Sequence, residues 1–186
     1  MSTQAKQTVL VTGASSGIGQ GIAIAFGQQG ANVIVNYHND EEGAIHTLEM
    51  VKKGGGDGFI YKADVGKEEE VVKMFDKSIE QYQTIDVLIN NAGIQKDSSF
   101  VSMSLSEWNK VITTNLTGHF LCAREAIQHF CSKPSVSDEG KAVGNIIFIS
   151  SVHDIIPWAG HVNYAASKGG ILMLLKSLAL EVAPKK

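Results

Sequence analysis

The stretch "TVLVTGASSGIGQG" (residues 8–21) decides the fold. Residues 8–12 are β-branched and apolar, as in a buried strand. Gly13, Gly17 and Gly19 follow at once, and helical composition begins inside the glycine run and continues to about Gln29. Glycines suit such a turn because the chain must bend sharply and let a ligand approach its backbone. The free N–H groups and positive end of the helix dipole then face that ligand, as they would the pyrophosphate of a dinucleotide. A bare strand-to-helix turn with no ligand would look similar over these residues alone, so the flanking sequence must decide.

Outward from this turn, short β-branched runs alternate with longer helical segments. Strands are expected at 32–37, 58–64, 86–90 and 145–150, and helices at about 41–53, 67–82, 105–113, 116–132 and 163–182. Several strands are continuous apolar runs, which fits parallel strands covered on both faces. The order predicts one domain over residues 1–186. It is an α/β fold, a Rossmann-like doubly wound parallel sheet in three α/β/α layers. The polar run 132–144 has no periodicity and reads as a surface connection.

Composition narrows the function. A net charge of −3 over 186 residues, with no basic run, excludes an electrostatic footprint for nucleic acid. No apolar segment has the length of a membrane span, and the start "MSTQAKQ" has no apolar signal region, so a cytoplasmic location is expected. Cys122 and Cys131 fall in one helix, too far apart to bridge, and read as free thiols. No His, Cys or Asp cluster has metal-ligand spacing, so no metal is expected.

Polar groups collect where strands end, the place where such sheets bind ligands. The tip of the second strand carries Asn36, Tyr37 and His38, where a ribose or its 2′-phosphate would be read. Asp40 stands too late to repel a phosphate, and no arginine or lysine invites one, so NAD, NADP or both remain open. Asp64 and Val65 suit an adenine edge, and Asn91, Ala92 and Gly93 would let backbone approach a ribose. Taken singly, each is equally well read as turn chemistry. In "SSVHDIIPWAGHVNYAASKGG" (150–170), Tyr164 and Lys168 are four apart and share one face of a helix. Such pairs also occur on solvated helices, but an ammonium beside a phenol favours the phenolate that a general acid/base needs.

In order, "TGASSGIG", "ADV", "NNAG", "TTNLTG", "ISS" and "YAASK" give the chain its resemblance to the short-chain dehydrogenase/reductase family. "ISSVHDIIPW" followed by "NYAASKGG" is similar to the family's bacterial glucose 1-dehydrogenase branch. The resemblance implies an NAD(P)-dependent oxidoreductase, with the C1 hydroxyl of a sugar oxidised to a lactone. Another carbonyl substrate such as a 3-oxoacyl thioester, and a non-catalytic nucleotide-binding module, are the competing expectations. The matched positions imply cofactor contacts from Gly13, Ser15, Gly17, Ile18, Gly19, Asp64, Val65, Asn91, Ala92 and Gly93, besides Tyr37 and His38 at the second strand's tip. The implied catalytic residues are Asn115, Ser151, Tyr164 and Lys168. Tyr164 and Lys168 also border the cofactor, and Ser151, His153 and Tyr164 border the substrate. Ser151 is preferred to Ser150 because the family's serine stands thirteen residues before its tyrosine.

In this setting Ser151 would hold the substrate oxygen, and Asn115 would hold a water that relays protons through Lys168. His161 reads as a solvent-facing loop residue, and His119 and His129 as packing or interface residues. The resemblance also implies a homodimer or homotetramer built on the helices at 116–132 and 163–182. It implies further strands and a substrate cover after Lys186. A chain ending there is expected to bind cofactor weakly and to leave the fifth strand as an open edge.

Overall fold

The structure is a computed structural model and describes residues 6–133 and 142–183. Most of the connection expected at 132–144 therefore lies outside the described residues. Five parallel strands form one sheet: β1 (Thr8–Val11), β2 (Asn32–Tyr37), β3 (Asp57–Lys62), β4 (Val87–Asn90) and β5 (Asn145–Phe148), in the order β3-β2-β1-β4-β5. The chain thus winds one way from β1 through β3, then restarts on the other side of β1. Val9 sits between Val33 and Val87, and Val11 between Val35 and Ile89.

Successive side chains along a strand face opposite ways, so an apolar run must be covered twice. On one face Leu10, Ile34 and Leu88 pack with Met74 and Phe75 of α3 (Glu68–Tyr82) and Leu121 and Ala126 of α5 (Gly118–Ser132). On the other, Val9, Val11, Val33 and Val35 pack with Ala23 of α1 (Gly17–Gln28) and Val51 of α2 (Glu41–Lys53). Each such side chain fully removed from water contributes about 1.5–3 kcal/mol. The result is the expected three-layer, Rossmann-like architecture.

The two helices expected at 105–113 and 116–132 are one continuous rod. α4 (Leu105–Ile112), opened by a Ser104–Glu107 capping box, runs through a π-helical turn (Thr113–Thr117) into α5. The Gly118 N–H reaches back to the Thr113 carbonyl, five residues away. The composition of "TTNLT" suggested a break because β-branched threonines weaken a helix, but the chain absorbs one extra residue instead. The last helix, α6 (Val162–Val182), follows a short 3₁₀ turn at Val152–Asp154. β5 and β3 are the two edge strands of the described sheet, and Ile147 of β5 is 45% exposed.

Candidate active site

The carboxyl ends of the strands open on one cleft of about 1300 Å³. It lies where the winding reverses, between β1 and β4, and is larger than a typical small-molecule pocket. Its wall runs from Ser15, Ser16 and Ile18 past His38 and Asp64 to Tyr164 and Lys168.

The glycine turn forms one end of the cleft. Gly13 and Gly17 have φ of +62° and +58°, a region that side chains make costly. A Cβ on Gly19 would strike the Gly13 carbonyl and the Asn91 amide, so here closeness rather than φ demands glycine. Ser16, at the N-cap of α1, makes no side-chain cap bond, so first-turn N–H groups remain open to an anionic ligand. The turn is fixed from behind by two buried side chains. Asn36 accepts from the Gly13 N–H at 3.1 Å and donates to the Ala63 carbonyl at 3.1 Å, joining the ends of β1, β2 and β3. The Thr12 hydroxyl donates to the Ile89 carbonyl and accepts from the Asn91 and Ala92 N–H groups, joining β1 to β4. These donors, the open helix end and the long cleft fit a dinucleotide.

Not every expected cofactor residue faces the cleft. Gly13, Ser15, Ile18, His38, Asp64, Val65, Asn91, Ala92 and Gly93 line it. Gly17 and Gly19 shape the turn from within. Tyr37, expected at the ribose end, is instead buried in the core on the α1/α2 side, because alternation turns it away from the tip. Burial, with a hydrogen bond to Glu41, raises the pKa of its phenol. His38 takes the outer position, its Nε2 3.7 Å from Asp64 Oδ2. Asp64 is itself folded into a tight turn, accepting from the Gly66 N–H at 2.9 Å.

At the other end, Tyr164 and Lys168 project from the first turns of α6. The Lys168 ammonium is buried, donates to the Ile149 carbonyl at 2.8 Å and lies 5.6 Å from the Tyr164 ring centroid. Burial lowers its pKa, and Asp154 partly opposes that shift. Ser150 lines the cleft and donates to Asp154 at 2.8 Å, whereas Ser151 stands just outside the lining. The Ser151 hydroxyl accepts from the His153 N–H at 3.2 Å, which fixes the 3₁₀ turn. Asn115 is fully buried in the π-helical turn. Its amide exchanges hydrogen bonds with both backbone groups of Ile94 and donates to Ser167, tying α6 to the loop after β4. It therefore lies beneath the cleft wall. His153 stands edge-on to Tyr164, with ring centroids 6.4 Å apart. Its Nδ1, 2.9 Å from the Ile156 carbonyl, carries the proton in the neutral ring, which leaves Nε2 as an acceptor.

Several site-building residues escaped the sequence reading. In the sequence Thr12 reads only as the end of the first strand and Asn36 only as part of a ribose-reading tip, yet they are the pins of the nucleotide end. His161, expected in solvent, is 8% exposed because it N-caps α6 against the loop after β4, with Nδ1 2.7 Å from Asp97 Oδ1. His119 does pack in the interior: its Nε2 lies 3.0 Å from the Ala92 carbonyl, and the Asn90 amide donates to the His119 carbonyl. Burial, helped by the nearby Lys168 charge, lowers its pKa to about 4, so it is neutral near pH 7. His129 accepts from the Ile85 N–H at 3.1 Å. Cys122 is buried, which pushes its thiol up to about 12, and Cys131 is exposed. Among the described residues no group of His, Cys, Asp or Glu could hold a metal ion, and no helix is long and apolar enough to cross a membrane.

Residues 7–186 match the family model described as short chain dehydrogenase. Among curated proteins, the chain is 45% identical over 179 residues to 3beta-hydroxysteroid dehydrogenase 1 of Eggerthella lenta, covering 96% of this chain and 66% of that protein. It is 43% identical over 180 residues to glucose 1-dehydrogenase 2 of Bacillus subtilis, covering 96% and 67%. Among solved structures, a short-chain alcohol dehydrogenase from Sinorhizobium meliloti superposes with a TM-score of 0.89 at 30% identity, over 98% of this chain and 69% of that one. Acetoin dehydrogenase from Salmonella typhimurium gives 0.87 at 30% identity, over 97% and 68%. The chain thus spans about two thirds of the length of the relatives it matches.

Proposed function

Because the chain belongs to the short-chain dehydrogenase family, we propose that it oxidises a ring CH–OH group, with NAD or NADP as acceptor. One observation carries this reading: the glycine turn and the Tyr164–Lys168 pair open on the same cleft. The nicotinamide nucleotide would supply the hydride acceptor. The rest falls to the protein. The Tyr164 oxygen would take the hydroxyl proton, and the Lys168 ammonium, 5.6 Å from its ring centroid on the same wall of the cleft, would stand next to that transfer. Ser151 would hydrogen-bond the substrate oxygen as its charge changes, since its oxygen accepts from the His153 N–H and its O–H can still donate. Asn115 would act from below, setting α6 against Ile94 so that Tyr164 and Lys168 meet the alcohol correctly. Gly13, Ser15 and Ile18 would take the pyrophosphate, on a turn that Gly17 and Gly19 shape. Asp64 and Val65 would take the adenine, Asn91 to Gly93 the ribose, and His38 the outer ribose edge.

Glucose is the substrate we favour, oxidised at C1 to the lactone. The motif likeness of residues 149–170 and the 43% identical glucose 1-dehydrogenase support it. The free acceptor of His153 suits a neighbouring sugar hydroxyl. A second reading is a flat hydrophobic alcohol such as a 3β-hydroxysteroid. The exposed Val152, Ile155, Ile156 and Trp158, on the loop that carries Ser151 and His153, favour it, as does the 45% identical relative. The exposed apolar side chains Phe120 on α5 and Met173 and Leu180 on α6 support a homodimer or homotetramer, and a cytoplasmic location fits this reading.

The test is nicotinamide absorbance with each cofactor against glucose, a 3β-hydroxysteroid and a 3-oxoacyl thioester. Tyr164→Phe should lower kcat by roughly 10²–10⁴-fold, the usual worth of a general acid/base, while cofactor affinity is kept. Near-normal turnover by that variant would overturn the assignment.

A further inference from the structure

Outside the cleft, four side chains form a continuous row. His161 is buried although it is polar, and Asp97, on the loop after β4, brings a carboxylate oxygen within 2.7 Å of its Nδ1. The approach is off the line that a ring hydrogen bond needs, so Asp97 meets the ring as a close polar contact rather than as a directed hydrogen bond. The His161 ring stacks on Trp158 at 3.7 Å and 23°. Trp158 in turn stacks on His153 at 4.8 Å and 25°, and His153 meets Tyr164 edge-on. The same two loops are sewn together beneath the row. Ser98 donates its N–H to the Gly160 carbonyl at 3.0 Å, and Asn163 donates to the Lys96 carbonyl at 2.8 Å.

We propose that Asp97, His161 and Trp158 form a latch between the loops after β4 and β5 that positions His153 and Tyr164 for the alcohol. The inference rests on the functional reading above and names positioning residues, since none of the three lines the cleft. The physical case is that His153 has little else to hold it. Among the described residues its ring has one hydrogen bond, to a carbonyl three residues on in its own loop, so the stacked indole sets the position of the ring. The indole is half exposed, and the buried His161 supplies its contact toward the protein interior. Asp97 then fixes His161 from the neighbouring loop. A shift of about 1 Å in such a support can cost a reaction roughly a hundredfold, so a partial loosening should be visible in kinetics. The nucleotide end is pinned separately by Thr12 and Asn36 and should not respond.

Asp97→Ala and Trp158→Ala in the intact protein should each raise KM for the alcohol by about tenfold, with cofactor Kd changed by less than about twofold. Trp158→Phe, which keeps a stacking ring, should restore most of the loss. Combining Asp97→Ala with Trp158→Ala should add little to either alone, because both open one latch. A second measurement does not need turnover. A Trp108→Phe background leaves Trp158 the one indole of these 186 residues, and Asp97→Ala should then increase its quenching by acrylamide. Unchanged quenching overturns the latch, and so does a KM that stays put while only the melting temperature falls. If no alcohol is turned over at all, the functional reading fails, and the quenching result alone decides the latch.

Discussion

The two ends of the cleft are built differently. At the nucleotide end, loops are short and are held by buried side chains that bond backbone: Thr12 to three groups, Asn36 to Gly13, Tyr61 and Ala63. At the alcohol end, the loops after β4 and β5 are longer, and much of their apolar surface faces solvent, as at Phe100, Val101 and Ile155. They are joined by ring stacking, one carboxylate–imidazole pair and a few hydrogen bonds. The nucleotide end is therefore a by-product of folding the sheet, whereas the alcohol end can be altered without unfolding it. That is the arrangement expected when one cofactor chemistry serves many substrates.

Breaking a pin at the nucleotide end should give the largest effect on stability. Thr12→Val keeps the shape but strands the Asn91 and Ala92 N–H groups, which costs about 4 kcal/mol at ~1–3 kcal/mol per group. Urea denaturation would measure it, and a loss below about 1 kcal/mol would mean that water replaces the hydroxyl. The seam between the ends should show next. His119 has a folded pKa of about 4 against an ordinary value of 6.5, so the unfolded chain binds the extra proton between those values. Its contribution is therefore complete above pH 6.5 and is lost as pH falls toward 4, a loss of at most about 3 kcal/mol. His119→Gln should flatten that part of the stability–pH curve. An unchanged slope in the variant would assign acid sensitivity to other groups.

What was legible in the sequence follows the same division. Continuous apolar runs made β1, β2 and β4 readable as parallel strands covered on both faces, and three glycines at a strand-to-helix junction made the turn readable. The Tyr164–Lys168 spacing is local to one helix and needed no tertiary knowledge. Residues whose role depends on what lies across the sheet were not legible. Thr12 acts on a partner some eighty positions away, at Asn91 and Ala92. His161 looked solvent-facing because its buried setting comes from Asp97, on a loop that no pattern linked to it. Tyr37 was misplaced by a single position, since alternation sends neighbours to opposite faces. The π-helical turn at Asn115 is invisible to a 3.6-residue pattern, which sees only an interruption.

The smallest effects would sharpen the contrast within the glycine turn itself. Gly17 and Gly19 are two residues apart, yet they are glycine for different reasons. At Gly17 the φ is +58° and a Cβ would meet nothing within 4 Å, so Gly17→Ala should cost only the left-handed backbone penalty, about 1 kcal/mol. At Gly19 the backbone is ordinary helix, but a Cβ would press on the Gly13 carbonyl and the Asn91 amide, and one of them must move. Overpacking of this kind costs roughly 1–3 kcal/mol, and both displaced groups border the nucleotide cradle. Gly19→Ala should therefore weaken cofactor binding by about 10- to 100-fold, the equivalent of that cost. Gly17→Ala should leave cofactor affinity nearly unchanged if its methyl points to open solvent. Titration of both variants with NAD and NADP separates the two causes. A larger affinity loss at Gly17 than at Gly19 would mean that the bound pyrophosphate lies over Gly17, and that approach of ligand to backbone, not packing of helix on strand, governs the turn.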